Sequence, residues 1–198
     1  MSAQTTYKFG MPFGAAGGIV DLVPHAIDTF LNEDNTGVMK PGMAVVKGTA
    51  AGIGVKLPTA NTDVFEGITV NDRTTEYDLD GNIRVMKGSA LGVMRYGKIY
   101  GRLATGAAPA FGKPVYFKYS GDEKGCFTDS DSSTLPINAR FVSGADNGVA
   151  MIELQQSNVV DANTTYTLPA ATNSALGGVK VGSGLTVTAD GTLSVTAG

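Results

Sequence analysis

The stretch "GKIYGRLA", Gly97 to Ala104, decides the fold. Ile99, Gly101 and Leu103 alternate with Lys98, Tyr100 and Arg102, so one face is apolar and the other polar. A period of two residues marks a strand with one buried face. Similar runs flank it. Upstream lie Met43–Lys47, "VFEGITV" (64–70) and "NIRVMKG" (82–88). Downstream, "PVYFKY" (114–119) places Val115, Phe117 and Tyr119 on one face, and "INARFVSG" (137–144) follows. "GVAMIEL" (148–154) closes the set; Val149–Leu154 is apolar on both faces except at Glu153, which predicts a central strand. Turn residues separate these runs at short spacing, so residues 41–156 read as a small β-barrel or sandwich.

Composition agrees with an all-β chain. Its 27 Gly and 8 Pro are spread along the whole length, which argues against long helices. A hydrophobic content of 42% is enough for a packed core, while 17% charged residues is low for a cytosolic enzyme. The formal net charge of -3 argues against a nucleic-acid partner, which calls for a basic surface. No apolar run is long enough to span a membrane, so no membrane partner is expected. "MSAQTTYKFG" lacks the basic-then-apolar layout of a signal peptide, and Cys126 is the single cysteine, so an internal disulfide is excluded. Synthesis and folding in a reducing compartment are expected.

Residues 1–40 have a different texture. They are rich in Gly, Pro and aromatics without sustained periodicity, and read as an extended arm. Ile27, Phe30 and Leu31 have helical spacing, which allows a turn or two of helix near Ala26–Asn32. Tyr7, Phe9, Phe13, Ile19, Leu22 and Val23 make the arm too apolar to hang in water. It is expected to lie against its own barrel or a neighbouring subunit.

The other end poses a register problem. In "LTVTADGTLSV" (185–195), a two-residue loop at Asp190-Gly191 would set Val187 against Ser194 and Thr188 against Leu193. A three-residue loop, Ala189-Asp190-Gly191, instead pairs Val187 with Leu193, Leu185 with Val195 and Thr186 with Ser194. Only that register gathers the apolar side chains on one face, and it puts Gly191 at the left-handed position such a loop needs. Val179 and Val181 can add a third short strand. A sheet this small is not stable alone. The expectation is that three copies cover one another around an axis, forming a trimeric β-prism. The trimerisation residues are then Val179, Val181, Leu185, Val187, Leu193 and Val195, with Asp190 and Gly191 in the turn. The polar stretch 157–167 reads as a linker, and 168–198 as the module.

"LPAATNSALGGVKVGSGLTVTADGTLSV" (168–195) resembles a repeat of phage head-fibre and tail-fibre proteins. The preceding part, roughly 1–155, is similar in order and texture to phage capsid decoration, or structural cement, proteins. "PGMAVV", "FEGITV", "GKIYGRL", "GKPVYF" and "FVSGADNGVAMIEL" carry that likeness. The resemblance implies a β-barrel on the outer surface of an icosahedral capsid, reinforcing it, with the major capsid protein as partner. It implies a homotrimer, synthesis in the bacterial host cytoplasm and a final place on the virion. Tyr7, Phe9, Phe13, Ile19 and Leu22 are the expected capsid-contacting arm residues. One tail module suggests a short spike, with a further fibre protein or a host-surface glycan as its partner. The alternative reading is a receptor- or carbohydrate-binding fibre module, with Tyr96, Tyr100, Tyr116 and Tyr119 as the available platforms and no tryptophan.

Catalytic and cofactor chemistry finds no footing. His25 is the only histidine, and Cys126 has no cysteine partner and reads as a buried strand residue. "YDLDGN" (77–82) spaces Asp78, Asp80 and Asn82 as a calcium loop begins, but Ser89 stands where the distal Glu would fall. A polar turn is the favoured reading. "GAAGG" and "GTAAGIG" lack the lysine and hydroxyl of a phosphate loop and read as turns or close backbone contacts. No enzyme activity, metal or cofactor is expected.

Overall fold

The computed structural model describes residues 13–72, 75–77, 83–155, 185–187 and 193–195. The chain divides into two units, Met1–Val160 and Asp161–Gly198. In the first, the strands are β1 (Ala26–Asn32), β2 (Ala44–Lys47), β3 (Gly54–Lys56), β4 (Phe65–Thr69), β5 (Thr75–Tyr77), β6 (Ile83–Val85), β7 (Ala90–Arg102), β8 (Pro114–Lys118), β9 (Phe127–Thr128), β10 (Thr134–Phe141) and β11 (Val149–Leu154). In the second, β12 (Leu185–Val187) pairs with β13 (Leu193–Val195).

The long strand β7 organises the first unit. Its leading half pairs with β1 and β4, and its trailing half with β11. Around the leading half the order β1-β3-β2-β4-β7 closes on itself through the β1–β7 pairing, which makes a five-stranded barrel. The trailing half begins the second layer, β7-β11-β10-β8-β9. A parallel bridge from Leu103 to Phe127 draws β9 back to the end of β7.

Two apolar cores result, and β2, β4 and β7 form the wall between them. Phe30, Val45, Val55, Leu91 and Val93 fill the closed barrel with Met39, Leu57 and Val85. Ala44, Val46, Ile68 and Met94 turn the other way and meet Ile99, Val115, Phe117, Phe127, Phe141 and Ile152. The Phe65 and Phe117 rings meet within this second core, with centroids 5.6 Å apart. Strand alternation does the sorting: Val45 faces one core and its neighbours Ala44 and Val46 the other.

β7 changes partner at Gly97, whose φ of 119° only glycine adopts readily. Here the chain crosses β7, and a Cβ on Gly97 would lie 2.6 Å from the His25 Cβ. β11 sits between β7 and β10 as expected for a central strand.

The N-terminal reading needs correction. Ala26–Asn32 is strand β1 and not a helix. Its backbone is taken up by β7, with Phe30 opposite Leu91 and Thr29 opposite Gly92, and that pairing outweighs the helical spacing of three apolar residues. The boundary at residue 40 moves as well. Ile19 already bridges to Ile99, and β1 is part of the barrel wall, so residues 17–20 and 26–32 lie against the chain's own sheet.

Candidate interaction surface

The segment 13–25 gives the body its most exposed apolar feature. Residues 17–20 run along β7: the Gly17 N–H donates to the Tyr100 carbonyl (2.7 Å), the Tyr100 N–H to Gly18 (3.0 Å) and the Val20 N–H to Lys98 (3.0 Å). The fit needs glycine. A Cβ on Gly17 would stand 2.7 Å from the Asn71 amide nitrogen and 2.8 Å from the Pro41 Cβ, and Gly17 holds φ at 78°. Phe13 packs tilted on Tyr100 with ring centroids 6.0 Å apart, and its N–H donates to the Asp146 carboxylate (3.2 Å). Gly14 and Gly18 also lie against the Tyr100 ring, which is therefore no open platform for a sugar.

Beyond Val20 the chain turns away from the sheet. The Lys98 ammonium donates to the Asp21 carboxylate (3.0 Å), which also accepts from the Val23 N–H. This fastens the turn while leaving its apolar side chains outside: Leu22 is 97% exposed, Ile19 40% and Val23 39%. Of the expected arm residues, Phe13 is half-buried on the body, Ile19 and Leu22 are exposed, and Tyr7 and Phe9 lie outside the described residues.

In the second unit, Leu185 pairs with Val195, Thr186 with Ser194 and Val187 with Leu193. This is the register of the three-residue loop. Val195 is 78% exposed in the single chain. Val179, Val181, Asp190 and Gly191 lie outside the described residues, as do 78–82 of the calcium-like sequence.

Two polar arrangements carry no sequence signature. "GTAAGIG" (48–54) wraps the Glu33 carboxylate, which accepts from the Thr49 N–H and hydroxyl and the Ala50 N–H, each at 2.7 Å. Those bonds, the Thr49 N–H first, hold the Glu33 pKa below its usual value. The loop is thus a close backbone contact around the partly exposed Glu33 carboxylate. Glu123 is bonded by the Lys118 ammonium and by the Thr105 hydroxyl and N–H, which together lower its pKa to about 2. Cys126 is buried, and desolvation raises its pKa, the opposite of an activated thiolate. Among the described residues no group of His, Cys, Asp or Glu is placed to hold a metal ion. No helix among them is long and apolar enough to cross a membrane.

The body is thus a closed all-β barrel with a second β layer and an exposed apolar turn. The family model described as "Structural cement protein (E217 gp24/Pam3 gp6)" matches residues 3–155, and the chain belongs to this phage cement family. Among solved structures, a chain from "The capsid of Myoviridae Phage XM1" is similar in fold, with a TM-score of 0.60 at 18% identity over 79% of this chain and 99% of that one. No curated protein matches. The chain is a capsid-associated phage structural protein of cement type, and family membership indicates a non-catalytic role.

Proposed function

We propose that the protein binds the outer surface of an icosahedral phage capsid through the barrel and its exposed turn, reinforces the shell, and presents a short trimeric spike. The carrying observation is the Ile19–Leu22–Val23 turn, apolar, bare and fastened to the barrel by the Lys98–Asp21 pair. The major capsid protein is its proposed partner. The spike is the C-terminal unit: Leu185, Val187, Leu193 and Val195, with Val179 and Val181, pack between three chains, and Asp190 and Gly191 make the turn. The paired register and the exposed Val195 support this reading, because a single copy leaves the apolar face partly uncovered. A further fibre protein or a host-surface glycan is the proposed partner of the spike.

The test uses particles lacking the protein, to which purified chains are added back. Burying one leucine is worth roughly 1.5–3 kcal/mol, so Leu22→Ser is expected to weaken capsid binding about tenfold or more while leaving the barrel folded. Leu185→Asp sets like charges near the axis, and light scattering is expected to show a folded chain that no longer trimerises. Unchanged binding by Leu22→Ser would sink the contact assignment. A trimeric Leu185→Asp protein would sink the spike.

A further inference from the structure

One row of side chains crosses the outer face of the second layer. In the antiparallel pairings Glu153 stands opposite Lys98, and Arg140 opposite Glu153; directly opposed residues share a face. This face is turned from the apolar core, which takes their neighbours Ile99, Ile152 and Phe141. At one end of the row the Lys98 ammonium reaches the Asp21 carboxylate, and further along the Arg140 Nε donates to Glu153. At the other end the Arg140 guanidinium carbon lies 6.0 Å from the centre of the Phe111 ring. From Val20, bonded to β7 at Lys98, across β11 and β10 to Pro114 is four strand spacings, at most about 19 Å at about 4.8 Å each.

Both ends of this row are apolar and bare. Leu22, next to Asp21, is almost fully exposed, and Phe111 is 74% exposed. Phe111 sits on a fastened loop. The Asp129 carboxylate accepts from the Ala108 N–H (2.9 Å) and the Lys113 ammonium (2.7 Å), and the Gly112 N–H donates to the Phe141 carbonyl (2.8 Å). A ring held out on a fixed loop loses little freedom when a partner buries it. Between the two ends the charges cancel, Asp21 with Lys98 and Glu153 with Arg140. The adjoining row, Phe13, Tyr100 and Met151, is half-buried and mostly apolar. A face of this kind presents no unmatched charge, so the surface that complements it is apolar, neither acidic nor basic.

We infer that this outer face is one contact surface, with the Asp21–Val23 turn and Phe111 as its two apolar anchors and an uncharged apolar patch of the major capsid protein as its occupant. The inference rests on the capsid-binding reading above. It adds Phe111 to that reading and gives the partner surface its chemistry.

Particles lacking the protein, titrated with wild-type, Leu22→Ser and Phe111→Ser chains, test it. Phe111 is mostly exposed, so Phe111→Ser is expected to unfold in denaturant as the wild type does, yet to bind particles about tenfold or more weakly. Wild-type binding is expected to change by less than about threefold between about 0.05 and about 0.5 M salt. If Leu22→Ser weakens binding and Phe111→Ser does not, this inference falls and the capsid-binding reading stands. If neither does, both fall. A steep loss of binding with salt overturns the uncharged partner. Labelling shows whether the face is open in the free chain, since native Cys126 is buried. Ala110→Cys is expected to react readily with a maleimide in free protein and about tenfold or more slowly on particles. Slow reaction already in the free protein means that the chain covers this face itself, and a lower molar mass of free Phe111→Ser means that a second copy does. Either result overturns the inference.

Discussion

Val45 and Val195 are the same residue in the same kind of structure, a short antiparallel strand, and they meet opposite environments. Val45 is 0% exposed; Val195 is 78% exposed. The difference lies in what surrounds each strand. β2 belongs to a wall with an apolar core on either side, so both of its faces are covered from within the chain. β12 and β13 have one another and, among the described residues, no third strand in their sheet. A two-stranded ribbon cannot exclude water from its apolar face. The body thus covers β2 from within one chain, whereas Val195 keeps most of its surface open.

The largest effect should come from the wall's far side. Phe117 is fully buried, and Phe117→Ala is expected to cost about 3–5 kcal/mol in denaturant unfolding of the body. A loss below about 1 kcal/mol would mean the second core contributes little to the stability of the body. Next comes Gly17→Val. A side chain there meets backbone of Asn71 and Gly42 at positive φ, and a loss of about 2 kcal/mol is expected, with faster proteolysis near residues 13–20. The third effect is modest and set by pH. The Glu123 pKa is lowered from its usual 4.5 to about 2, so its contribution is complete above pH 4.5 and is lost as pH falls through about 2. Glu123→Gln should therefore flatten the acid limb of the stability curve between those values and change little once the wild-type carboxyl is protonated; equal slopes for both proteins would remove Glu123 from the account. The smallest effect is the sharpest test of the comparison. Leu185→Asp, a change in the second unit, is expected to shift body unfolding by less than about 0.5 kcal/mol. A cooperative loss of body stability would show that the tail is part of the same fold.

The legible parts of the sequence were those where one face is buried over four or more residues. Ile99 and Gly101 on β7, Val115 and Phe117 on β8, and the run from Val149 to Leu154 all obey that rule. The tail register was legible for a different reason: the competing register set apolar against polar at Val187 and Leu193. β1 was illegible because four of its seven residues face solvent in succession, so the inward alternation is confined to Phe30 and Asn32. The full length of β7 was hidden by Gly97, a residue that normally ends a strand and here marks a change of partner. Leu22 was legible as an apolar arm residue. That its turn is fastened by Lys98, seventy-seven positions away, could only come from the fold.

The strand shared by both cores also sets how the molecule answers force. A pull along β7 is opposed by its bonds to β1, β4 and β11 together, all lying across the direction of pull. They are loaded in shear and must give way as a group. A pull that lifts β9 from the sheet meets its two-residue pairing with β8, the bridge at Leu103, the Ala104 N–H bond to the Phe127 carbonyl and the burial of the Phe127 ring, and the backbone bonds open one after another. The body is therefore stiffest along β7, and its second layer is weakest at the β9 edge.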